Sequence, residues 1–272
     1  MISFPNAKIN LGLYVERKRP DGYHDISTVF YPIKLQDILE IVKSEKTTLT
    51  TTGNKVDCEF EKNLVVKAYR MLEKEFYLPP VDIFLHKHIP DGAGLGGGSA
   101  DASVMLRLLN DLFELGLSDQ ELAQRAAKIG ADCPFFIYNT PKAASGIGDI
   151  FTEVDVNLKD YKIVVVKPDV YISTAAAYAG IQPNDKREYS IVDILKMPIG
   201  KWKGLLVNDF ETSVFSQHPE LAEVKESLYQ AGAVYASMSG SGSAIYGIFD
   251  NDIMADKYVE NCQIPKVFKI NL

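Results

Sequence analysis

From Lys8 to Val15 the chain alternates. Ile9, Leu11, Leu13 and Val15 fall on one face, while Lys8, Asn10 and Gly12 fall on the other. That is the period-2 signature of a strand. Pro20-Asp21-Gly22 supplies turn chemistry, since Pro presets φ and Gly accepts positive φ. Ile26–Ile33 then reads as the returning strand of a hairpin. Further strands are expected over Asp37–Val42, Thr48–Thr52 and Val81–Leu85. Asn63 is placed to cap a helix reaching about Phe76, with Val66, Tyr69 and Leu72 among its apolar positions. A glycine-rich run leads into a second helix, from about Ser99 to Glu114. Ser118-Asp119-Gln120-Glu121 is a capping box that opens a third helix, which Gly130 can terminate. Asp132 lies just past that stop, and Pro134 is expected to prevent helical continuation.

The second half changes character. Val154–Asp160 is polar and linker-like, and Tyr161–Lys167 is an apolar run that reads as a buried strand. A domain boundary is therefore expected near residue 155, giving an N-terminal domain over 1–155 and a C-terminal domain over 156–272. Helices are expected around Ser173–Tyr178, Lys203–Phe215 and Pro219–Ala231; Pro219 at the start and Gly232 past the end of the last follow the usual asymmetry. Val234–Met238 and Ala244–Phe249 read as strands flanking a Ser/Gly loop. A short helix and a strand over Lys266–Ile270 close the chain. Helices and strands mix without regular βαβ alternation, so the expected class is α+β in two domains.

Composition adds exclusions. The 272 residues are 46% hydrophobic and 24% charged, ordinary for a globular protein and unlike a disordered one. A net charge of −7 argues against a nucleic-acid partner, because binding a phosphate backbone rests on Lys and Arg. A local basic pocket could still hold a small anion. Cys58, Cys133 and Cys262 are scattered, with no Cys/His cluster, so neither a zinc site nor a disulfide framework is signalled. MISFPNAKIN lacks the features of a secretory leader, and no run of about 18 apolar residues occurs. The expectation is a cytoplasmic protein with no membrane partner and no obligate protein partner.

The most informative stretch is Pro90-Asp91-Gly92-Ala93-Gly94-Leu95-Gly96-Gly97-Gly98-Ser99, followed by Ala100. Glycines at this density carry a large entropic cost of folding. They let consecutive backbone N–H groups turn inward and form an anion-holding concavity. A helix starting at Ser99 adds its unpaired N–H donors and positive end. Together these predict a cradle for phosphate groups. Gly92, Gly94 and Gly97 formally satisfy G-x-G-x-x-G, but no tight strand-to-helix turn or βαβ continuation accompanies them. No G-x-x-x-x-G-K-[ST] sequence is present, so the cation must come from elsewhere.

This loop, with Ala7-Lys8-Ile9-Asn10-Leu11 near the start and Met238-Ser239-Gly240-Ser241-Gly242-Ser243 near the end, resembles the three motifs of the galactokinase, homoserine kinase, mevalonate kinase and phosphomevalonate kinase (GHMP) superfamily. Asp21-Gly22-Tyr23-His24 and Gly130-Ala131-Asp132-Cys133-Pro134-Phe135-Phe136 resemble its branch that uses ATP to phosphorylate the 2-hydroxyl of 4-diphosphocytidyl-2-C-methyl-D-erythritol, in the non-mevalonate route to isoprenoid precursors. The likeness covers essentially the whole chain in motif order and spacing. Asn6 separates Pro5 from Ala7 where the family often reads Pro-Ala-Lys, and Ala100 stands where a second serine is common.

The resemblance implies a two-domain GHMP-kinase-like fold with its active site in the inter-domain cleft. It makes Asp132 the base for the hydroxyl proton and Lys8 its cationic neighbour. That pairing is sound chemistry, since a nearby Lys⁺ keeps a carboxylate ionised and stabilises charge on a transferring phosphoryl group. Read alone, Asp132 could be a helix-stop residue bonding local backbone, and Lys8 an exposed charge on an edge strand. Pro90 through Ala100 are implied to bind ATP, with Asn63 and Lys87 lining the adenine pocket, although helix capping also accounts for Asn63. Asn10 is implied to hydrogen-bond the methylerythritol portion. Tyr23 and His24 are implied to take the cytosine, and Tyr178 matches the second aromatic of that sandwich. ATP is expected to arrive with Mg²⁺, which Ser99 could help bind, and no dedicated metal cage is evident. The Ser239–Ser243 loop is expected to pack on the phosphate loop. Arg17, Lys18 and Arg19 could attract anionic substrates or simply form a solvated hairpin tip. Cys133 reads as a small buried packer. Two alternatives stay open: another GHMP kinase acting on mevalonate or a sugar, and a noncatalytic nucleotide-binding module.

Overall fold

The computed structural model describes residues 1–271. In chain order the elements are β1 (Ile2–Ser3), β2 (Asn6–Lys18), β3 (His24–Gln36), β4 (Ile38–Lys43), β5 (Thr48–Gly53), α1 (Leu64–Phe76), β6 (Val81–Lys87), α2 (Gly97–Leu112), α3 (Asp119–Ala126) and α4 (Cys133–Tyr138). There follow β7 (Lys142–Ser145), β8 (Ile150–Glu153), β9 (Lys162–Val166), α5 (Thr174–Ala179), α6 (Ile191–Leu195), α7 (Phe210–Gln217), α8 (Pro219–Gln230), β10 (Tyr235–Met238), β11 (Ile245–Phe249), α9 (Asp252–Asn261) and β12 (Val267–Asn271). Among the described residues, no helix is long and apolar enough to cross a membrane.

The chain folds into two compact units. One comprises Met1–Ala7, Leu35–Asp91 and Gly96–Thr140; the other comprises Lys8–Lys34, Gly92–Leu95 and the chain from Pro141 onward.

In the first unit the sheet order is β1-β4-β6-β5, antiparallel except for the parallel β5–β6 pair. Leu39 and Ile41 of β4 and Val81, Ile83 and Leu85 of β6 alternate into the core, where Tyr69 and Leu72 of α1 and Met105 and Leu109 of α2 meet them. Burying an aliphatic side chain of this size contributes about 1.5–3 kcal/mol. Asn63 caps α1 by accepting from the Val65 amide at 3.0 Å, and Ser118 and Glu121 form the reciprocal capping box at α3. One expectation is corrected here. The helix α2 begins at Gly97, two residues before Ser99, with Gly96 in a left-handed cap conformation. Beyond the end of α3 a separate helix, α4, starts at Cys133, with Pro134 in its first turn, where its missing N–H has no partner to lose.

The second unit holds the antiparallel sheet β10-β11-β9-β12, with α8 packed on β10 and β11 and α9 on β9 and β12. The sheet β2-β3-β7-β8 carries the two long strands of the predicted hairpin. Its last two strands, which pair as Lys142–Ser145 with Ile150–Glu153, were not anticipated from the sequence. The helix expected over Lys203–Phe215 is confined to Phe210–Gln217, because Asn208 and Asp209 are recruited to β2: Leu13 N–H donates to the Val207 carbonyl and Asp209 N–H to the Leu13 carbonyl, each at 2.9 Å.

Candidate active site

Alternation along β2 places Lys8 and Asn10 on one face, as the sequence pattern requires. Both faces are nevertheless buried from Ala7 to Val15. Lys8 is 3% exposed, so it is not a solvated edge-strand charge. Its ammonium donates to Asn10 Oδ1 at 2.6 Å and lies 4.8 Å from the Phe30 ring centroid. Asn10 is 1% exposed, and its carboxamide donates onward to Thr28 Oγ1 at 2.9 Å. Its backbone is fixed from the motif at residues 238–243 and from β11: the Asn10 amide donates to Ser239 Oγ at 3.3 Å, and the Tyr246 hydroxyl donates to the Asn10 carbonyl at 2.7 Å.

The Ser/Gly loop after β10 packs on residues 92–95 in the same unit. Ala244 N–H donates to the Ala93 carbonyl at 3.1 Å, and Lys8 N–H to the Leu95 carbonyl at 2.9 Å. Two residues not singled out from the sequence hold that loop in shape. Asn208 donates to the carbonyls of Met238 and Gly240, both at 2.8 Å. Glu211 accepts from the Met238 amide at 2.8 Å and pairs with Lys225 at 2.6 Å. Gly92, Gly94 and Gly96 take φ of 58°, 75° and 73°, the left-handed turns that let the loop reverse within so few residues.

In the other unit, α2 starts at the end of that loop. A Cβ on Gly97 would sit 2.9 Å from Ile89 Cγ2 and 3.3 Å from Lys87 Nζ, so the first turn of α2 rests against the end of β6. Lys87 points inward as part of a buried cluster. Its ammonium bonds both Asp37 and Asp101, the latter at 2.7 Å. Asp37 also accepts from the amides of His88 at 2.5 Å and Ile89 at 2.8 Å, which anchors the stretch entering the glycine loop. Asp101, 2% exposed in the second turn of α2, leaves Oδ1 without a hydrogen-bond partner. Burial pushes its carboxyl up to about 7, with Lys87 opposing and Asp37 adding to the shift. Burial lowers the Lys87 ammonium, but Asp101 and Asp37 more than reverse it, so the net shift is upward.

Asp132 occupies the position before α4, half-buried, and its side chain makes no capping bond to that helix. Ser103 Oγ lies 2.8 Å from the Ser99 carbonyl and 2.7 Å from the Cys133 carbonyl, which ties the Asp132 turn to the first turns of α2. A Cβ on Gly130 would lie 3.3 Å from Cys133 Sγ and 4.0 Å from Ser99 Oγ. Burial pushes the Cys133 thiol up to about 11, so it stays protonated and acts as a packer. Leu64, the residue after Asn63, lies beside this end of α2, since a Cβ on Gly98 would meet its Cδ1 at 3.6 Å.

The aromatic residues gather in the second unit. His24 stacks on Tyr178 with ring centroids 4.7 Å apart and planes at 21°, and Phe210 meets Tyr178 edge-on at 4.8 Å. Tyr23 is 62% exposed at the hairpin tip. The arginines of that tip are paired: Arg17 with Asp25, and Arg19 with both Asp21 and Asp25. Among the described residues no group of three or more His, Cys, Asp or Glu is arranged to hold a metal ion.

Comparison with known proteins decides the family. Residues 63–140 match the GHMP kinases N terminal domain, and residues 197–263 match the GHMP kinases C terminal. A 4-diphosphocytidyl-2-C-methyl-D-erythritol kinase of Bacteroides fragilis is 56% identical over 253 residues, covering 92% of both chains. One of Porphyromonas gingivalis is 54% identical over 260 residues, 94% of this chain and 95% of the relative. The chain belongs to the 4-diphosphocytidyl-2-C-methyl-D-erythritol kinases of the GHMP family. A crystal structure of a 4-(cytidine 5'-diphospho)-2C-methyl-D-erythritol kinase superposes with a TM-score of 0.85 at 30% identity, covering 99% of this chain and 98% of the other. The mevalonate kinase of Methanococcus jannaschii shares the fold, with a TM-score of 0.75 at 14% identity. As a GHMP kinase, the enzyme is an ATP-dependent small-molecule phosphotransferase of α+β fold.

Proposed function

We propose that this kinase transfers the γ-phosphoryl group of ATP to the 2-hydroxyl of 4-diphosphocytidyl-2-C-methyl-D-erythritol, in the cytoplasm, as a step of non-mevalonate isoprenoid precursor synthesis. The observation that carries this reading is the 56% identity to a kinase of that name across 92% of both chains. Locally it is supported by the His24–Tyr178 stack, which lies in the same compact unit as the buried Lys8–Asn10 pair. An aromatic face suits a nucleobase, and an imidazole edge can hydrogen-bond it.

In this reading the Asp132 carboxylate takes the proton as the O–H bond breaks. The freed oxygen forms a bond to the γ-phosphorus, and the bond to the β-phosphate oxygen breaks to release ADP. Lys8 stabilises the charge on the transferring group, and Asn10 orients the acceptor alcohol. The amides of residues 92–99 hold the phosphates; backbone crowds a side chain out at Gly94, and the Ile89 and Lys87 side chains crowd Gly97. Pro90, Asp91 and Ala100 flank that cradle, and Asn63 and Lys87 border the adenine side. Mg²⁺ travelling with ATP would neutralise phosphate charge, and the Ser99 hydroxyl would be a ligand for it. Positioning and electrostatics supply most of the acceleration, and the base contributes about 10²–10⁴.

The test offers purified enzyme, ATP and Mg²⁺ with the cytidyl alcohol, mevalonate or galactose in parallel, and follows ADP release. Turnover with the cytidyl alcohol alone is expected. Preferential turnover of mevalonate or galactose would overturn the substrate assignment.

A further inference from the structure

Lys8 is too buried for water to set the direction of its ammonium, so its protein partners must do so. Asn10 is one of them, and a primary carboxamide has two unlike ends. Its oxygen attracts an ammonium, while its NH₂ group repels one. Something must hold the oxygen toward Lys8.

The geometry points to Thr28 of β3 as a positioning residue for phosphoryl transfer, acting through Asn10 on Lys8. Thr28 Oγ1 lies 2.6 Å from the Gly12 carbonyl oxygen, a pure acceptor, so the single hydroxyl proton is directed there. The Thr28 oxygen can then only accept on its Asn10 side, and it does so from Asn10 Nδ2 at 2.9 Å. With its NH₂ end committed, Asn10 presents Oδ1 to Lys8 Nζ at 2.6 Å. Each link leaves one polarity for the next, from the Gly12 carbonyl through Thr28 and Asn10 to the ammonium. Thr28, Asn10 and Lys8 are all buried, so water does not compete for these groups. Backbone pairing of Thr28 with Ala144 of β7 fixes the position from which the hydroxyl acts.

The inference rests on the assignment of Lys8 to the transfer step, and the experiment separates the two. Steady-state kinetics are measured for wild type, Lys8→Ala, Thr28→Val, Thr28→Ser, Asn10→Ala and the Thr28→Val/Asn10→Ala double variant. Thr28→Val is expected to lose about 10- to 100-fold in kcat, the scale of a small misplacement of a reacting group. Its KM values for ATP and the alcohol should stay within about threefold, and Thr28→Ser should restore most of kcat. In the Asn10→Ala background, Thr28→Val should have no further effect. A residue needed only for folding would lower the active fraction without this KM-against-kcat split or this non-additivity. Unchanged kcat in Thr28→Val alongside an inactive Lys8→Ala would overturn the role of Thr28 and leave that of Lys8 standing. A fully active Lys8→Ala would instead overturn the assignment beneath it. Proton exchange of the Asn10 carboxamide in the wild-type enzyme gives a second readout that needs no variant to fold. Slow exchange is expected, and exchange as fast as that of a solvated asparagine would contradict the relay.

Discussion

The Ser239 hydroxyl donates to the Gly94 carbonyl at 2.9 Å, and a Cβ on Gly94 would fall 2.0 Å from the Ser239 carbonyl oxygen. Two motifs about 145 residues apart in sequence therefore meet backbone to backbone. Gly94 is needed there twice over, for its φ of 75° and for the missing side chain.

Gly94→Ala should accordingly strain the loop. Its cost to stability is expected in the range of about 1–3 kcal/mol, typical of overpacking, with a rise in KM for ATP exceeding that for the alcohol. Denaturant midpoints and paired KM values check this. An alanine variant matching wild type in both would show that the close approach has no bearing on nucleotide binding.

The Asp37–Lys87–Asp101 cluster makes a prediction about pH. The Asp101 carboxyl is raised to about 7 by burial, above its ordinary value of about 3.9. Between those values the folded protein binds a proton that the unfolded chain has released. Its stabilising contribution is thus complete below about pH 4 and is lost as pH rises through about 7. Asp101→Asn removes the titration. The variant should gain stability relative to wild type on going from pH 5 to pH 8, as read from urea midpoints. A constant difference across that range would show that Asp101 is ionised throughout.

This cluster also shows what the sequence made legible. Strand alternation, the Asn63 and Ser118 caps, the glycine loop and the third motif were readable because each is a local signal of period, cap or turn. Asp37, Asp101, Thr28, Asn208 and Glu211 were not, because each acquires its role only from a partner far along the chain; Lys87 and Asp37 are 50 residues apart. A local clue did exist. Lys87 continues the inward phase of Val81, Ile83 and Leu85, and Asp37 sits in phase with Leu35, Leu39 and Ile41. Opposite charges at core-phase positions of two strands announce a buried pair. The helix at Cys133–Tyr138 is short and carries Pro134, which breaks a helix interior but is compatible with a first turn, so the local signal is ambiguous.

The Tyr178 ring, stacked on His24 and braced edge-on by Phe210, should matter to one substrate only. Stacking of this kind contributes about 0.5–1.5 kcal/mol, so Tyr178→Ala should raise KM for the cytidyl alcohol by up to about tenfold. KM for ATP should hold within about twofold, and Tyr178→Phe should behave as wild type. Equal damage to both substrates would argue that the ring supports the fold rather than the base.

Asp132 lies at the centre of the account, a carboxylate placed before a helix that it does not cap. The most direct measurement is single-turnover transfer from ATP to 4-diphosphocytidyl-2-C-methyl-D-erythritol by Asp132→Asn, with ATP affinity measured on the same preparation. The account predicts a transfer rate lower by about 10²–10⁴, the usual contribution of a general base, with ATP binding retained. Transfer at the wild-type rate would contradict it.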